Sequence, residues 1–219
     1  MRLRGLVLGA ATLITMVAVS ACDGGVFGVR GSGNVITESR DVSGFNEIAV
    51  LGSGNVVVEF NGSESLTVEA EDNIMPLLKT EVRNGRLELS VESSISPTVE
   101  VKYTITAATL DGVSISGSGD VAATGIDAES FDVEISGSGK VKATGTADTL
   151  TLSISGSGRY DGEGLAASVG DVRVSGSGDA VVYVTEDLNV DVSGSGSVEY
   201  IGEPSLTTSI SGSGDISRR

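Results

Sequence analysis

The stretch Val133–Ala143, VEISGSGKVKA, holds the pattern that decides the fold. Its central tetrapeptide, Ser-Gly-Ser-Gly, occurs six times in the chain. The first glycines of these tetrapeptides are Gly117, Gly137, Gly156, Gly176, Gly194 and Gly212, at intervals of 20, 19, 20, 18 and 18 residues. A period of this length is typical of proteins that stack one short structural unit on the next. The sequence therefore predicts a repeat architecture.

Apolar residues recur at fixed offsets on both sides of the tetrapeptide. The position two residues before its first glycine holds Ile115, Ile135, Ile154, Val174, Val192 and Ile210. The alternation resumes after it, as in Val141 and Ala143. Polar residues lie between most of these positions, which is the period-two pattern of a strand with one buried face. Each repeat therefore predicts two strands joined by a corner, where glycine permits backbone angles or close approaches that other residues forbid.

Repeats of 18 to 20 residues have room for three short strands and their corners, which predicts an all-β fold, a parallel β-solenoid with coils about 4.8 Å apart. Equivalent residues would then form ladders along the axis. The inward ladder would be a continuous core, and the central serines would form a hydroxyl ladder of Ser118, Ser138, Ser157, Ser177, Ser195 and Ser213. A meander of antiparallel hairpins is the alternative, because apolar positions fall symmetrically about the central serine.

Weaker forms of the signal occur earlier, at residues 31–33 and 52–54. Ile48 and Val50 precede the second as in the later repeats, so stacking is predicted to begin by about residue 40. Asn84-Gly85 predicts a tight turn, and Pro76 limits any helix nearby to a single turn. The distance from Gly52 to Gly117 is close to three intervals, so residues 61–110 are predicted to form three degenerate coils.

The N-terminus reads as a targeting segment. A basic start is followed by an apolar run from Gly5 to Val19, which is short for a membrane span. The residues Val19–Cys22 resemble the lipobox of bacterial lipoproteins, in which the cysteine is acylated, and Cys22 is the only cysteine in the chain. We therefore predict a signal peptide over residues 1–21, a lipidated tether over 22–30 and a solenoid over 31–219, regular from 111 onward.

Charge and composition exclude several classes of function. The chain has 219 residues, 30 acidic and 14 basic, and its net charge of −16 opposes binding to nucleic acid and to anionic lipid surfaces. It has no histidine, which excludes serine–histidine and cysteine–histidine nucleophiles, and metal clusters of imidazole and thiolate. No catalytic, cofactor or metal site is predicted.

Two sets of residues that contain several carboxylates are the candidates for chemistry. The residue after each tetrapeptide is Asp120, Lys140, Arg159, Asp179, Ser197 and Asp215. A stacked cation site would not tolerate lysine and arginine, so a solvated ladder of alternating charge is favoured. The second set is Asp127, Glu129, Asp132 and Glu134. Its last two members flank apolar residues, which predicts the solvent side of a strand rather than a catalytic pair.

These features together resemble a known family. The lipobox, the stretch Arg40–Phe45 (RDVSGF), the stretch Ile48–Gly54 (IAVLGSG) and the serial Ser-Gly-Ser-Gly are similar to the bacterial family called putative auto-transporter adhesin, head GIN domain. The resemblance runs from about Arg40 to Ile216. It implies a right-handed parallel β-solenoid on the cell envelope, and it brings no catalytic residues.

The expected function is that of a non-enzymatic, lipid-anchored envelope protein with a solenoid as its adhesion, scaffold or interaction surface. The alternative is a solenoid that acts on polysaccharide. The location is the periplasmic side of the inner or outer membrane, or the cell surface; Asp23 resembles the residue that retains lipoproteins in the inner membrane. The C-terminal coil, guarded only by Arg218 and Arg219, is expected to contact a second copy or a partner's edge strand.

Overall fold

The computed structural model describes residues 28–219, so Cys22, the predicted signal peptide and most of the tether lie outside the described residues. The described part is almost entirely β-structure, with one short 3-10 helix at Met75–Leu77. Its strands are β1 (Val29–Arg30), β2 (Val35–Arg40), β3 (Glu47–Gly52), β4 (Asn55–Phe60), β5 (Ser65–Glu71), β6 (Leu78–Arg83), β7 (Arg86–Val91), β8 (Ile95–Ser96), β9 (Lys102–Ala107), β10 (Gly112–Gly117), β11 (Asp120–Gly137), β12 (Lys140–Gly156), β13 (Arg159–Gly176), β14 (Asp179–Gly194), β15 (Ser197–Ile201), β16 (Ser205–Gly212) and β17 (Asp215–Arg218).

The repeats stack in parallel and in register, which confirms the β-solenoid. Each first glycine pairs with the first glycine of the next coil, from Gly117 through to Gly212. Gly52 pairs with Gly117 on the other side, so the weaker repeat at residues 52–54 is a true member of the stack. The alternative of antiparallel hairpins that turn at each Gly-Ser-Gly is wrong, because the strands beside these corners pair with the preceding and following coils.

Each regular coil has three faces. In β11 the alternation of buried and exposed residues breaks twice, at Thr124–Gly125 and at Glu129–Ser130, and the third corner is the tetrapeptide itself. We call the face that ends at the first glycine the serine face. It comprises β6, β7, β3, β10, the C-terminal segments of β11 to β14, and β16. The face that follows the tetrapeptide is the charged face, and the remaining segment is the third face.

The core runs along the axis between these faces. The predicted inward ladder is confirmed: Ile115, Ile135, Ile154, Val174 and Val192 are all buried. Burial of such side chains stabilises the fold by roughly 1.5–3 kcal/mol each. Ile210 is the exception, because it lies in the last described coil and is covered from one side only.

The N-terminal part departs from the prediction of three degenerate coils. Strand β7 pairs in parallel with β3, and β9 pairs in parallel with β4, so residues 86–107 form a single coil. That coil lies on the opposite side of β3 from β10. The rest of the region pairs antiparallel, β6 with β7 and β5 with both β2 and β9. The reversal occurs at the predicted Asn84-Gly85 turn, where both residues have positive φ.

The described strands also adjust two boundaries. Val29 and Arg30, the last two residues of the predicted tether, form a strand that pairs with β8. The parallel stacking begins with β3 at Glu47, a few residues after the predicted start.

Candidate functional surfaces

The two glycines of each corner have different roles. Gly137 has φ +129°, and a Cβ there would lie 2.3 Å from the carbonyl oxygen of Gly117 in the coil below. Gly139 has no such backbone angle, but its Cβ would lie 2.5 Å from the Gly119 carbonyl oxygen and 2.7 Å from a methyl of Ile115. The first glycine therefore supplies a left-handed angle, and the second allows the corner to approach the core.

The corner ladder is built from backbone groups. The amide of Ser138 donates to the carbonyl of Gly117 at 2.9 Å, and the amide of Lys140 donates to that of Gly119 at 3.2 Å; the other corners repeat this pattern. The predicted hydroxyl ladder is not found among the described side-chain hydrogen bonds, and the central serines are exposed. Their hydroxyl groups instead face solvent in a row with a repeat of about 4.8 Å.

The serine face carries a second row of hydroxyl groups and a shallow groove. The serine that precedes each first glycine is exposed, from Ser116 to Ser211. The groove has a volume of about 300 Å³ and opens over Gly112, which lacks a side chain where the neighbouring coils carry Glu47 and Asp132. Arg86 pairs with Glu47 at its edge at 2.7 Å. The face therefore combines small hydroxyl side chains with a few charges around one depression.

The structure separates the four predicted acidic candidates. Asp132 and Glu134 lie exposed on the serine face beside the groove, as predicted for the solvent side of a strand. Asp127 and Glu129 lie exposed on the third face. Within residues 28–219, no group of three or more acidic or thiol side chains is placed to hold a metal ion.

The charged face carries the predicted ladder in register. Asp120, Lys140, Arg159, Asp179, Ser197 and Asp215 follow one another coil by coil. Arg159 binds Asp179 at 2.9 Å, whereas Lys140 and Arg159 are adjacent like charges, so the alternation of sign is incomplete. The Ser197 hydroxyl, 2.7 Å away, and then Arg159 lower the pKa of Asp179 from its ordinary value.

The two C-terminal arginines are bound within the chain, in a way that the sequence did not predict. Arg219 crosses a groove of about 370 Å³ on the charged face and binds Glu163 at 3.0 Å. Its amide donates to the carbonyl of Tyr200 at 2.9 Å, and Arg218 binds Glu203 at 2.9 Å. These side chains therefore hold the C-terminal residues against the last coils by ion pairs within the chain.

Glu71 fastens the N-terminal strap, residues 28–34, to the body. Its buried carboxylate accepts hydrogen bonds from the amide of Gly33 at 2.6 Å, the amide of Thr98 at 2.9 Å and the Thr98 hydroxyl at 2.5 Å. A Cβ on Gly31 would collide with this carboxylate. The Thr98 hydroxyl, with the two amides, lowers the pKa of Glu71, against the opposing effect of desolvation.

The next two residues complete this clip. Asp72 accepts hydrogen bonds from Ser32 at 2.5 Å and from Asn34 at 2.9 Å, and Asn73 donates to the Arg30 carbonyl at 2.7 Å. The Gly-Ser-Gly at residues 31–33 is therefore a strap held by side chains, and not a corner of the stack.

Comparison with known proteins agrees with this fold. The family described as "Putative auto-transporter adhesin, head GIN domain" matches residues 44–204. The chain belongs to this adhesin family. A search of curated proteins found no match.

Solved structures resemble the chain over most of its length. A "putative adhesin" from Bacteroides fragilis is 28% identical, with a TM-score of 0.72, and the match covers 88% of this chain and 100% of that one. A "putative adhesin" from Parabacteroides distasonis is 21% identical, with a TM-score of 0.58 and coverage of 88% and 100%. A "putative lipid binding protein" from the same organism is 23% identical, with a TM-score of 0.52 and coverage of 87% and 99%. The last two support the fold alone.

Family membership points to a role in adhesion or binding and to a location at the cell envelope or surface. In the part of the chain that the structure describes, no helix is long and apolar enough to cross a membrane.

Proposed function

We propose that this protein is a lipid-anchored adhesin that presents its solenoid as a binding surface and catalyses no reaction. The observation that carries the proposal is the in-register stack, because it repeats the same exposed side chains at strand spacing over successive coils. A rigid surface of this kind suits a partner that is itself extended or repetitive.

The path of the N-terminus supports the anchor. Val29 and Arg30 pair with β8, which belongs to the coil at the N-terminal end of the stack. Five residues separate Cys22 from Gly28, and the six Cα–Cα steps between them span at most about 22 Å when fully extended. An acyl group on Cys22 would therefore hold this end near the membrane. Eight parallel strands, from β9 to β17, stack on the charged face, so the last coil would lie about 34 Å farther along the axis than the first.

The serine face is the binding surface in this proposal. Serine occupies the outward position before each first glycine, from Ser116 to Ser211, and serine or threonine occupies further outward positions such as Ser114 and Thr151. Hydroxyl groups both donate and accept hydrogen bonds, so they bind polar partners without a strong demand for charge.

Adhesion is tested on cells that display the full chain. Ser114→Arg fills the groove on the serine face. We expect it to reduce, at least tenfold, the attachment of these cells to a surface that cells with the wild-type protein bind. Thr146→Arg on the third face is the matched control and should attach as the wild type does. Equal attachment by both variants and the wild type would exclude the serine face as the binding surface.

Acylation is tested separately by incorporation of labelled fatty acid. We expect label in the wild type and none in Cys22→Ser, because the chain has no other cysteine. Label of equal intensity in both proteins would remove the lipid anchor from the proposal.

A polysaccharide ligand is the second candidate, and the groove favours it. Glu47 and Asp132 flank Gly112, two rungs apart, or about 10 Å. Carboxylates around a shallow polar groove suit hydrogen bonds to sugar hydroxyl groups. Glycan binding by the wild type that is lost in Asp132→Asn would support this candidate. Release of shorter glycans by the wild type would indicate cleavage, and no release would indicate binding alone.

A further inference from the structure

The two end strands of the serine face are protected differently. At the N-terminal end, β6 pairs only with β7 among the described strands and carries Lys79, Glu81 and Arg83. At the C-terminal end, β16 pairs only with β14 among the described strands, and its eight residues, SLTTSISG, include no charge and no proline. Charges and proline are the usual protection of an exposed edge against pairing with another strand. β16 lacks both.

The apolar residues of β16 are also exposed. Leu206 and Ile210 are 40% and 49% exposed, although they point inward in register with Leu188 and Val192, which are 1% and 0% exposed. This end of the core is therefore open, and an additional strand laid beside β16 would cover it. The occupant must be extended, because the groups to be satisfied are a row of backbone N–H and C=O groups.

We infer that this strand is β16 of a second copy, paired antiparallel about Thr208. In that register Thr208 lies opposite its own copy, Leu206 lies opposite Ile210, and Thr207 lies opposite Ser209. Every opposed pair has both members on the same side of the sheet, so the two apolar residues of each chain meet those of the other. Aliphatic and threonine–serine pairs of this kind stabilise antiparallel strands.

The charge distribution permits this contact despite the net charge of −16. The nearest outward acidic residues on this face are Asp187 and Asp191, one rung behind β16. In the paired state they lie at least three rungs, or about 14 Å, from the same residues of the other copy, which exceeds the screening length of about 8 Å at physiological salt. Arg218 and Arg219 were expected to attract a second molecule, but both bind glutamates of their own chain. The pairing of β16 therefore does not depend on them.

The pairing joins two solenoids at their C-terminal ends, with their N-terminal ends pointing apart. If the N-terminal end is anchored as proposed above, the two anchors of such a pair lie in opposite directions, and the contact links two facing membranes. This consequence rests on the proposed function, whereas the pairing of β16 does not.

Disulfide cross-linking of the full-length protein in detergent tests the pairing. We expect oxidised Thr208→Cys to form a disulfide dimer, because residue 208 meets its own copy on the two-fold axis. Glu81→Cys on β6 should form no disulfide dimer, and neither should the wild type. No dimer with Thr208→Cys, an equal yield with Glu81→Cys, or a cross-link to a different protein would each overturn the inference.

Sedimentation provides an independent measurement that does not depend on thiol chemistry. Thr207→Lys with Ser209→Lys brings four like charges together across the proposed contact, and we expect the dimer dissociation constant to rise at least tenfold. Thr151→Lys with Ser153→Lys occupies the same two offsets on β12 and should leave association unchanged. Equal association of the two double variants would overturn the inference.

These measurements also separate the two proposals. Cross-linking and sedimentation in detergent do not require an acyl group. A β16 dimer formed by Cys22→Ser would leave the pairing intact even if acylation proved absent, and a labelled monomer would leave the anchor intact.

Discussion

The regular coils and the N-terminal part build one continuous core by different means. In residues 112–201, the same type of side chain recurs at the same offset. The backbone N–H and C=O groups of each coil form hydrogen bonds with those of the neighbouring coils in parallel ladders. In residues 29–107, antiparallel pairs and individual side chains such as Glu71 hold the chain. The difference teaches that the repeat needs no special residue in any one coil, whereas the N-terminal part depends on a few specific contacts.

The largest effect is expected from a charge in the inward ladder of the regular coils. Ile135→Asp buries an unpaired carboxylate where the wild-type side chain is fully covered, and it should destabilise the fold by at least about 4 kcal/mol. Lys140→Ser, in the same repeat but exposed, should change stability by less than about 0.5 kcal/mol. Denaturant unfolding measures both, and equal midpoints would contradict the assigned strand orientation.

Substitutions at two corners test whether glycine is required there by its positive φ or also by close contact with the neighbouring coil. Gly125 has φ +89°, and a Cβ there would meet only the Phe60 ring, at 3.8 Å, so Gly125→Ala should cost about 1–2 kcal/mol for the angle alone. Gly137→Ala adds the collision with the Gly117 carbonyl, and we expect about 3 kcal/mol or more. Similar losses in urea unfolding for the two variants would mean that the coils separate easily at their corners.

The regular coils were predictable from the sequence, whereas much of the N-terminal part was not. The ladder of Ile115 to Val192 and the paired corners were predictable, because the information repeats in every coil. The arrangement of residues 61–110 was not predictable, because Gly52 and Gly117 are three repeat intervals apart in the sequence but adjacent in the stack. Their spacing matched the repeat while the chain between them turned back at Asn84-Gly85.

The site residues show a similar limit. The solvent positions of Asp132 and Glu134 followed from alternation alone. Glu71 could not be recognised, because its partners Gly33 and Thr98 are 38 and 27 residues away and no local pattern marks them. The ion pairs of Arg218 and Arg219 likewise depend on which glutamates the last coil brings near.

The strap tests the dependence of the N-terminal part on single contacts. Glu71→Gln removes the charge that Gly33 and Thr98 bind, and we expect faster proteolysis and hydrogen exchange within residues 28–34, with little change in the regular coils. Glu134→Gln, exposed on the serine face, is the control. Unchanged exchange in the strap would show that β1 and β2 hold it without the carboxylate.

The same contact predicts a dependence on pH. The pKa of Glu71 is lower in the folded state than its ordinary value of about 4.3, so its contribution is complete above that value. It is lost as the pH falls through the lowered folded pKa. The protection factors of the strap amides, which correct for slower intrinsic exchange at acidic pH, should therefore fall as the pH is lowered in the wild type and fall less in Glu71→Gln.

The smallest effect is expected inside the regular coils, where Tyr160 breaks the rule of one side-chain type per offset. Its neighbours in register are Val141 and Ala180, and its ring fills the space above Gly162. Its hydroxyl is buried without a partner in the described structure, and desolvation raises its pKa. Tyr160→Phe removes only that hydroxyl, so we expect stability to stay the same or rise by up to about 1 kcal/mol.

A double variant separates the hydroxyl from the size of the ring. Gly162→Ala should destabilise the fold, because its Cβ would lie 2.4 Å from the Tyr160 ring. Tyr160→Val with Gly162→Ala reproduces the Val141 and Ala143 pair of the coil below, so the combined loss should be smaller than the sum of the single losses. Additive losses in denaturant unfolding would mean that these two residues do not compensate each other. The coil would then tolerate its irregular pair for a reason outside the core.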